Sequence, residues 1–131
     1  MSKITLACTS TLMIILMLVG GACSKAPAEP QEEIDLAPIH EVNVTLLKSK
    51  PPQIGVYIKG GLRDGCTTFH NIEITREGST VNIKVTTQHP KDKVCPAVYG
   101  YFEKDVNLGS NFSVGTIYTL NVNDYTSTFT Y

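Results

Sequence analysis

The sequence predicts an all-β domain, an antiparallel sandwich of two sheets and about seven strands occupying residues 39–131. Three observations carry this expectation: apolar residues recur at every second position, no stretch after residue 39 repeats them at the helical period, and turn-forming clusters separate the runs. Val42, Val44 and Leu46 alternate with Asn43 and Thr45, and Ile54, Val56 and Ile58 with Gly55 and Tyr57. Ile72 and Ile74 flank Glu73, and Val81, Ile83 and Val85 alternate with Asn82 and Lys84. A strand with one apolar and one polar face belongs to a sheet that packs on a core on one side and meets water on the other. The breaks are Lys50-Pro-Pro, Gly60-Gly-Leu-Arg-Asp-Gly65, Arg76-Glu-Gly-Ser79, His89-Pro-Lys-Asp and Asn107-Leu-Gly-Ser-Asn111.

The C-terminus allows a register to be assigned. With Asn123-Asp124 as a two-residue turn, Val122 faces Tyr125, Leu120 faces Ser127 and Tyr118 faces Phe129, while Asn121/Thr126, Thr119/Thr128 and Ile117/Thr130 share the other side. Asn and Asp both tolerate the positive φ of a type I′ turn. A further strand is expected over Val98–Leu108, bent near Gly100. Seven short strands at this spacing favour a sandwich, with a small open barrel as the competing architecture.

The first residues read differently. Lys3 is followed by Ile4 and, after a polar interruption at Thr9-Ser10-Thr11, by the unbroken apolar run Leu12–Val19. That is the n-region and h-region of a secretory signal over residues 1–22, too interrupted for a spanning helix. The string Gly20-Gly21-Ala22-Cys23 that follows resembles the lipobox of bacterial lipoproteins, although the position three before the cysteine is Gly20 and Leu18 lies two further back. The resemblance implies cleavage after Ala22 and a diacylglyceryl thioether on Cys23, hence a chain exported and lipid-anchored to the bacterial cell membrane or outer membrane. Two acyl chains make a stable anchor where one is marginal. The alternative is an ordinary signal peptide cut nearby, leaving Cys23 as a free thiol. Residues 23–38 then contain three prolines, four acids and no aromatic residue, the composition of a disordered spacer that buries too little to offset its ordering entropy.

At 131 residues the chain accommodates one core. Eleven basic against 12 acidic residues, with a net charge of −1, form no electrostatic footprint for nucleic acid. Of four cysteines, Cys8 leaves with the signal and Cys23 carries lipid, so Cys66 and Cys95 remain as a pair, most simply a disulfide in an exported β domain. Neither lies in a C-x-x-C motif that would argue for redox chemistry. With no Trp and 28 residues between the pair, the domain is immunoglobulin-like in architecture without the spacing of a true immunoglobulin domain. Gly65-Cys-Thr-Thr68, Arg76-x-Gly78 before the Val81/Ile83/Val85 strand ending in Thr86-Thr87, the Pro90…Cys95 segment and the hairpin from Tyr118-Thr-Leu-Asn-Val-Asn123 to Phe129 together resemble a small domain of unknown function found in exported bacterial lipoproteins. That resemblance covers residues 53–130 and implies a fold, a disulfide and an exported location, but no activity.

Chemistry-bearing motifs are sparse. His40, His70 and His89 form no metal-ligand spacing, and no G-x-S-x-G elbow or phosphate-cradling glycine loop occurs. Glu103 and Asp105 share a strand face without the cleft a glycosidase pair needs. No catalytic residue, metal or cofactor is therefore expected. Candidate binding positions are Tyr99 and Tyr101, Gly60 and Gly61, and Arg63. Core packing is the preferred role for the two tyrosines, an exposed platform the other; the paired glycines are expected in a mobile loop. The functional expectation is a non-enzymatic binding or envelope-structural lipoprotein whose partners are the bilayer, through Cys23, and a protein or envelope polymer. The alternative is a proteinase-inhibitor-like module inserting the Gly60–Gly65 and Asn107–Asn111 loops into an enzyme cleft.

Overall fold

Alternating runs do form strands, and a computed structural model describing residues 26–131 arranges eight of them in two sheets. The signal segment expected over 1–22, and with it Cys8 and Cys23, lies outside the described residues. The strands are β1 (Glu32–Leu36), β2 (Ile39–Leu47), β3 (Gln53–Leu62), β4 (Thr68–Glu77), β5 (Thr80–Pro90), β6 (Gly100–Gly109), β7 (Ile117–Val122) and β8 (Tyr125–Thr130). One sheet holds β2-β3-β6; the other is built on β5, with β4 on one edge, β1 and β7 on the other, and β8 beyond β7. The inward positions close the core between them: Val42, Ile54, Val56 and Ile58 from the first sheet meet Val81, Ile83, Val85, Leu120 and Val122 from the second. The sandwich is thus the fold, not the open barrel.

Three expectations are corrected. The spacer foreseen over residues 23–38 contains β1, which pairs antiparallel with β5 from Glu32↔Pro90 to Leu36↔Thr86, so the domain starts at residue 32 rather than 39. Apolar burial does not hold it, since Ile34 and Leu36 are exposed. Backbone pairing does, assisted by Arg63, whose guanidinium lies 3.5 Å from Glu33 and 3.0 Å from Asp35. Secondly, the sheets are not wholly antiparallel, because β5 and β7 run parallel from Thr80↔Thr119 to Ile83↔Val122. Thirdly, β6 starts at Gly100, and its irregularity falls at the far end, where Ile54↔Gly109 is followed by Gly55↔Asn107 and leaves Leu108 as the extra residue.

The C-terminal hairpin has the expected register at all six pairs, Val122↔Tyr125 through Ile117↔Thr130. Its turn differs from type I′. Positive φ is taken at Asn123 (51°) and not at Asp124, the pattern of a II′ turn, which Gly78 (59°) also supplies at the β4–β5 hairpin.

Asn123 has a second task, arising from the way β5 is shared. The edge of β5 opposite β4 pairs with β7 over Thr80–Ile83 and with β1 over Thr86–Pro90, leaving the fully buried Val85 between two partners that end. The Asn123 side chain fills that break. Its Oδ1 accepts from the Val85 N–H (2.8 Å), and its Nδ2 donates to the carbonyls of Val85 (2.9 Å) and Ala37 (2.7 Å). The Asn123 N–H donates to Ile83 O (3.1 Å) and the Ala37 N–H to Val85 O (3.0 Å). A side-chain amide thus stands where a neighbouring strand would have presented its peptide.

The ends of the sandwich are fastened separately. At one end Cys66 and Cys95 form the expected disulfide, with Cα atoms 5.6 Å apart, joining the β3–β4 turn to the β5–β6 loop. Closing a loop of 29 residues contributes about 3.5 kcal/mol in the chain-entropy account. At the other, Phe112 packs among Tyr118, Phe129 and Tyr131 at centroid distances of 5.0–5.6 Å, and the Arg76 guanidinium lies 4.2 Å from the Phe112 ring while donating to Asn111 O.

Asn123→Ala is expected to lower the unfolding free energy by about 2–4 kcal/mol, because it strands a buried N–H and removes two further hydrogen bonds. Asn123→Gly, which suits the positive φ, loses nearly as much and so separates the side-chain bonds from backbone conformation. Urea denaturation measures both; an alanine variant within about 0.5 kcal/mol of wild type would show that the break in the ladder is closed by other means.

Candidate functional site

Two consecutive glycines near the end of β3 shape both faces of the first sheet. Gly60 faces the core, where a Cβ would come within 2.2 Å of the Phe102 ring; Gly61 faces outward, where a Cβ would meet the Tyr99 hydroxyl at 1.9 Å. Both lie buried inside β3, paired with Phe102 and Tyr101 of β6. The mobile loop expected for them is therefore a strand, and their small size serves close approach of aromatic rings on opposite faces.

Tyr99 settles into the notch over Gly61. Its hydroxyl lies 2.6 Å from His40 Nε2, and His40 reaches it because a register shift between Ile39 and Glu41 makes it the extra residue of a bulge in β2. Tyr101 completes a trio of mutually edge-on rings with centroids 5.2–5.8 Å apart, and Lys59 Nζ stands 4.9 Å from the Tyr101 ring. Tyr99 and Tyr101 are 46% and 56% exposed, so the core role preferred for them is replaced by the platform. Strand alternation explains the outcome: Phe102, not its tyrosine neighbours, faces inward and packs on Phe69 at 5.3 Å. Further along the same face, burial first and then the carboxylates of Glu103, Glu41 and Asp105 push the Tyr57 hydroxyl above its ordinary range.

Arg63 has a structural occupation. Besides Glu33 and Asp35 it lies 3.8 Å from Asp64, so it ties β1 to the β3–β4 turn. Asp64 organises that turn. Its Oδ1 accepts from the N–H groups of Cys66 and Thr67 and from the Thr67 hydroxyl, each at 2.9 Å, and its Oδ2 stands 3.0 Å from His89 Nε2. Burial alone would raise the Asp64 carboxyl. The Thr67 hydroxyl, the two backbone donors and the adjacent His89 outweigh it and hold the carboxyl below its ordinary value. A shallow cleft of about 340 Å³ between β1 and β3 is lined by Asp35, Leu36, Pro38, Gly61, Arg63 and Thr87.

The three histidines take separate partners: His40 on Tyr99, His70 on Gln88 at 2.9 Å, His89 on Asp64. Among the described residues the grouping closest to a metal-ligand cluster is Asp64, Cys66 and Cys95, whose sulfurs are bonded to each other and are not thiolates. The loops nominated for insertion into an enzyme cleft are anchored. Gly65 donates its N–H to Pro96 O, and Asn107–Gly109 belong to β6, with Asn107 bonded to Gln53. Sequence reasoning missed His40 and the part Arg63 plays; the alternation Glu33-Ile34-Asp35-Leu36 was the available sign that Arg63 had a strand to bind.

These features define a disulfide-fastened β-sandwich with a histidine–tyrosine patch on one outer face. The chain belongs to the family of the ORF11 beta-sandwich domain, whose model matches residues 56–131. It is 38% identical over 86 residues to the uncharacterized 10.2 kDa protein in the HgiCIIM 5′ region of Herpetosiphon aurantiacus, covering 66% of this chain and 90% of that protein. Similar proteins in the HgiBIM and HgiEIM 5′ regions of the same organism are each 42% identical over 76 residues, 58% of this chain and 92% of theirs. No solved structure matches the chain.

Gly61→Ala is expected to destabilise the domain by about 0.5–1.5 kcal/mol by displacing the half-exposed Tyr99 ring and its bond to His40. In a double-mutant cycle with Tyr99→Ala that cost shrinks by at least about 0.5 kcal/mol; strict additivity would show that the notch is not what holds the ring. A depressed carboxyl stabilises the fold above its unfolded pKa, and that contribution is lost as pH falls through the folded value. The thermal midpoint of wild type should therefore exceed that of Asp64→Asn at neutral pH, with the gap narrowing below the ordinary carboxylate value of 3.8. A gap independent of pH would show that the ionised form is not what the turn requires.

Proposed function

We propose that this chain is an exported lipoprotein in which residues 1–22 are a signal peptide and Cys23 carries a diacylglyceryl anchor. The β-sandwich is then a non-enzymatic binding or envelope-structural module held beside the bacterial membrane, facing a protein or an envelope polymer. The observation that carries the reading is the division of the cysteines: one stands directly behind Gly20-Gly21-Ala22, and the two within the domain are bonded to each other. A disulfide suits an oxidising compartment outside the cytoplasm. The arrangement of titratable groups supports a binding or structural role over catalysis. Of the three shifted groups, Asp64 and Tyr118 serve a turn and a loop, Tyr118 Oη accepting from the Ser113 N–H at 2.8 Å, and Tyr57 lies on an outer strand face among the carboxylates of Glu103, Glu41 and Asp105.

Cys23→Ser is expected to abolish metabolic labelling by fatty acid and to move the protein from the membrane to the soluble fraction. Labelling and fractionation both unchanged would defeat the proposal.

A further inference from the structure

The chain enters the sandwich at one particular end. Glu32 pairs with Pro90, and the Lys91 N–H donates to Gln31 O at 2.8 Å, so the segment arriving from Cys23 is fastened against the start of the β5–β6 loop. Eight residue steps separate Cys23 from Gln31. They span at most about 29 Å fully extended. That loop is also where exposed apolar side chains gather: Val94 is 97% exposed and Val98 64%, with Tyr99 following. Lys91 and Lys93 precede them on either side of the exposed Asp92, and neither lysine makes an ion pair among the described residues, although Lys91 shares a surface depression with Glu29, Glu32 and Glu33.

Resting on the lipid-anchor reading above, we propose that the disulfide-held loop 91–99 seats on the phospholipid headgroup layer of the bilayer that holds Cys23. Valines partition shallowly into such an interface, tyrosine rings sit at headgroup level, and lysines approach the phosphates. The Cys66–Cys95 bond fixes the loop to the β3–β4 turn, so it meets the bilayer as a preformed surface. Exposure of apolar residues is not by itself the distinguishing feature, since Val114 is 87% exposed in the β6–β7 loop. The tether is. Val114 lies at the opposite end of strands as long as ten residues, about 30 Å away.

The test uses the full chain in a bacterium that acylates lipoproteins, with a benzophenone side chain replacing Val94 in one variant and Val114 in another. After irradiation of isolated membranes, mass analysis is expected to find at least fivefold more phospholipid adduct at position 94 than at 114. Equal yields, or adducts at 94 formed with protein alone, would overturn the proposal while acyl labelling of Cys23 stands. Absence of that labelling would overturn the anchor reading and this inference together. Introducing Lys91→Glu and Lys93→Glu beside the probe at 94 is expected to lower its lipid adduct about threefold with membrane fractionation unchanged. An unchanged adduct would remove the lysines from the contact.

Discussion

Much of this fold depends on how β5 divides one of its edges between two partners. A strand buried in a sheet has to satisfy every N–H and C=O along both sides, and β5 is served on its second side by a parallel strand arriving from the C-terminal hairpin and an antiparallel one arriving from the N-terminus. Neither strand pairs with Val85, whose carbonyl is reached by the Ala37 N–H just past the end of β1 and whose N–H has no strand partner on that side. The Asn123 amide, offering donors and an acceptor in the geometry of a peptide group, makes the two short strands act as one. Because Asn123 is also the turn residue at positive φ, the turn that forms the β7–β8 hairpin is the one that places this amide. Chain reversal and ladder completion are therefore a single event, and it brings Ala37, 86 residues away, into the same bond network.

The end of the sandwich where β1 begins is organised by charge and covalent linkage instead. Arg63 reaches two acids of β1, Asp64 gathers the donors of its turn and pairs with His89, and the disulfide joins that turn to the loop after β5. Exposed ion pairs each contribute little, at about 0–1 kcal/mol. Here they act on a strand whose apolar side chains are largely in water, where a small contribution suffices to decide whether β1 lies on the sheet.

How much of this was legible follows from what kind of force sets each feature. The inward rows at 54/56/58, 81/83/85 and 118/120/122 were readable because burial of alternate residues is a property of the sequence itself. The C-terminal register was readable because a two-residue turn fixes every later pair. The pairing of Cys66 with Cys95 followed from counting. β1 was hidden because its composition is that of a spacer and its partners, β5 and Arg63, lie about 30 to 55 residues onward. Tyr99 and Tyr101 lie outside the core because side-chain bulk alone does not decide which face of a strand a residue takes. The parity of β6 assigns Phe102 to the core, and that parity depends on where the strand starts. Gly60-Gly61 had the composition of a turn, and only the rings packed against them on opposite faces reveal a strand.

The family match starts at Val56, inside β3, while β1 and β2 precede it. Those two strands are not accessories: β2 brings Val42 to the core and His40 to the tyrosine patch, and β1 completes the divided edge of β5. They also set how the domain hangs if Cys23 is its anchor. With β1 paired, eight residue steps lie between anchor and fold. With β1 released, the span from Cys23 would run on to Pro38, about 15 steps, and its greatest possible reach would grow from about 29 Å to about 54 Å. Pairing β1 thus shortens the tether and fixes the direction from which it enters, and the side chains that hold β1 and its end in place, Arg63 and Asn123, lie within the residues that the family model matches.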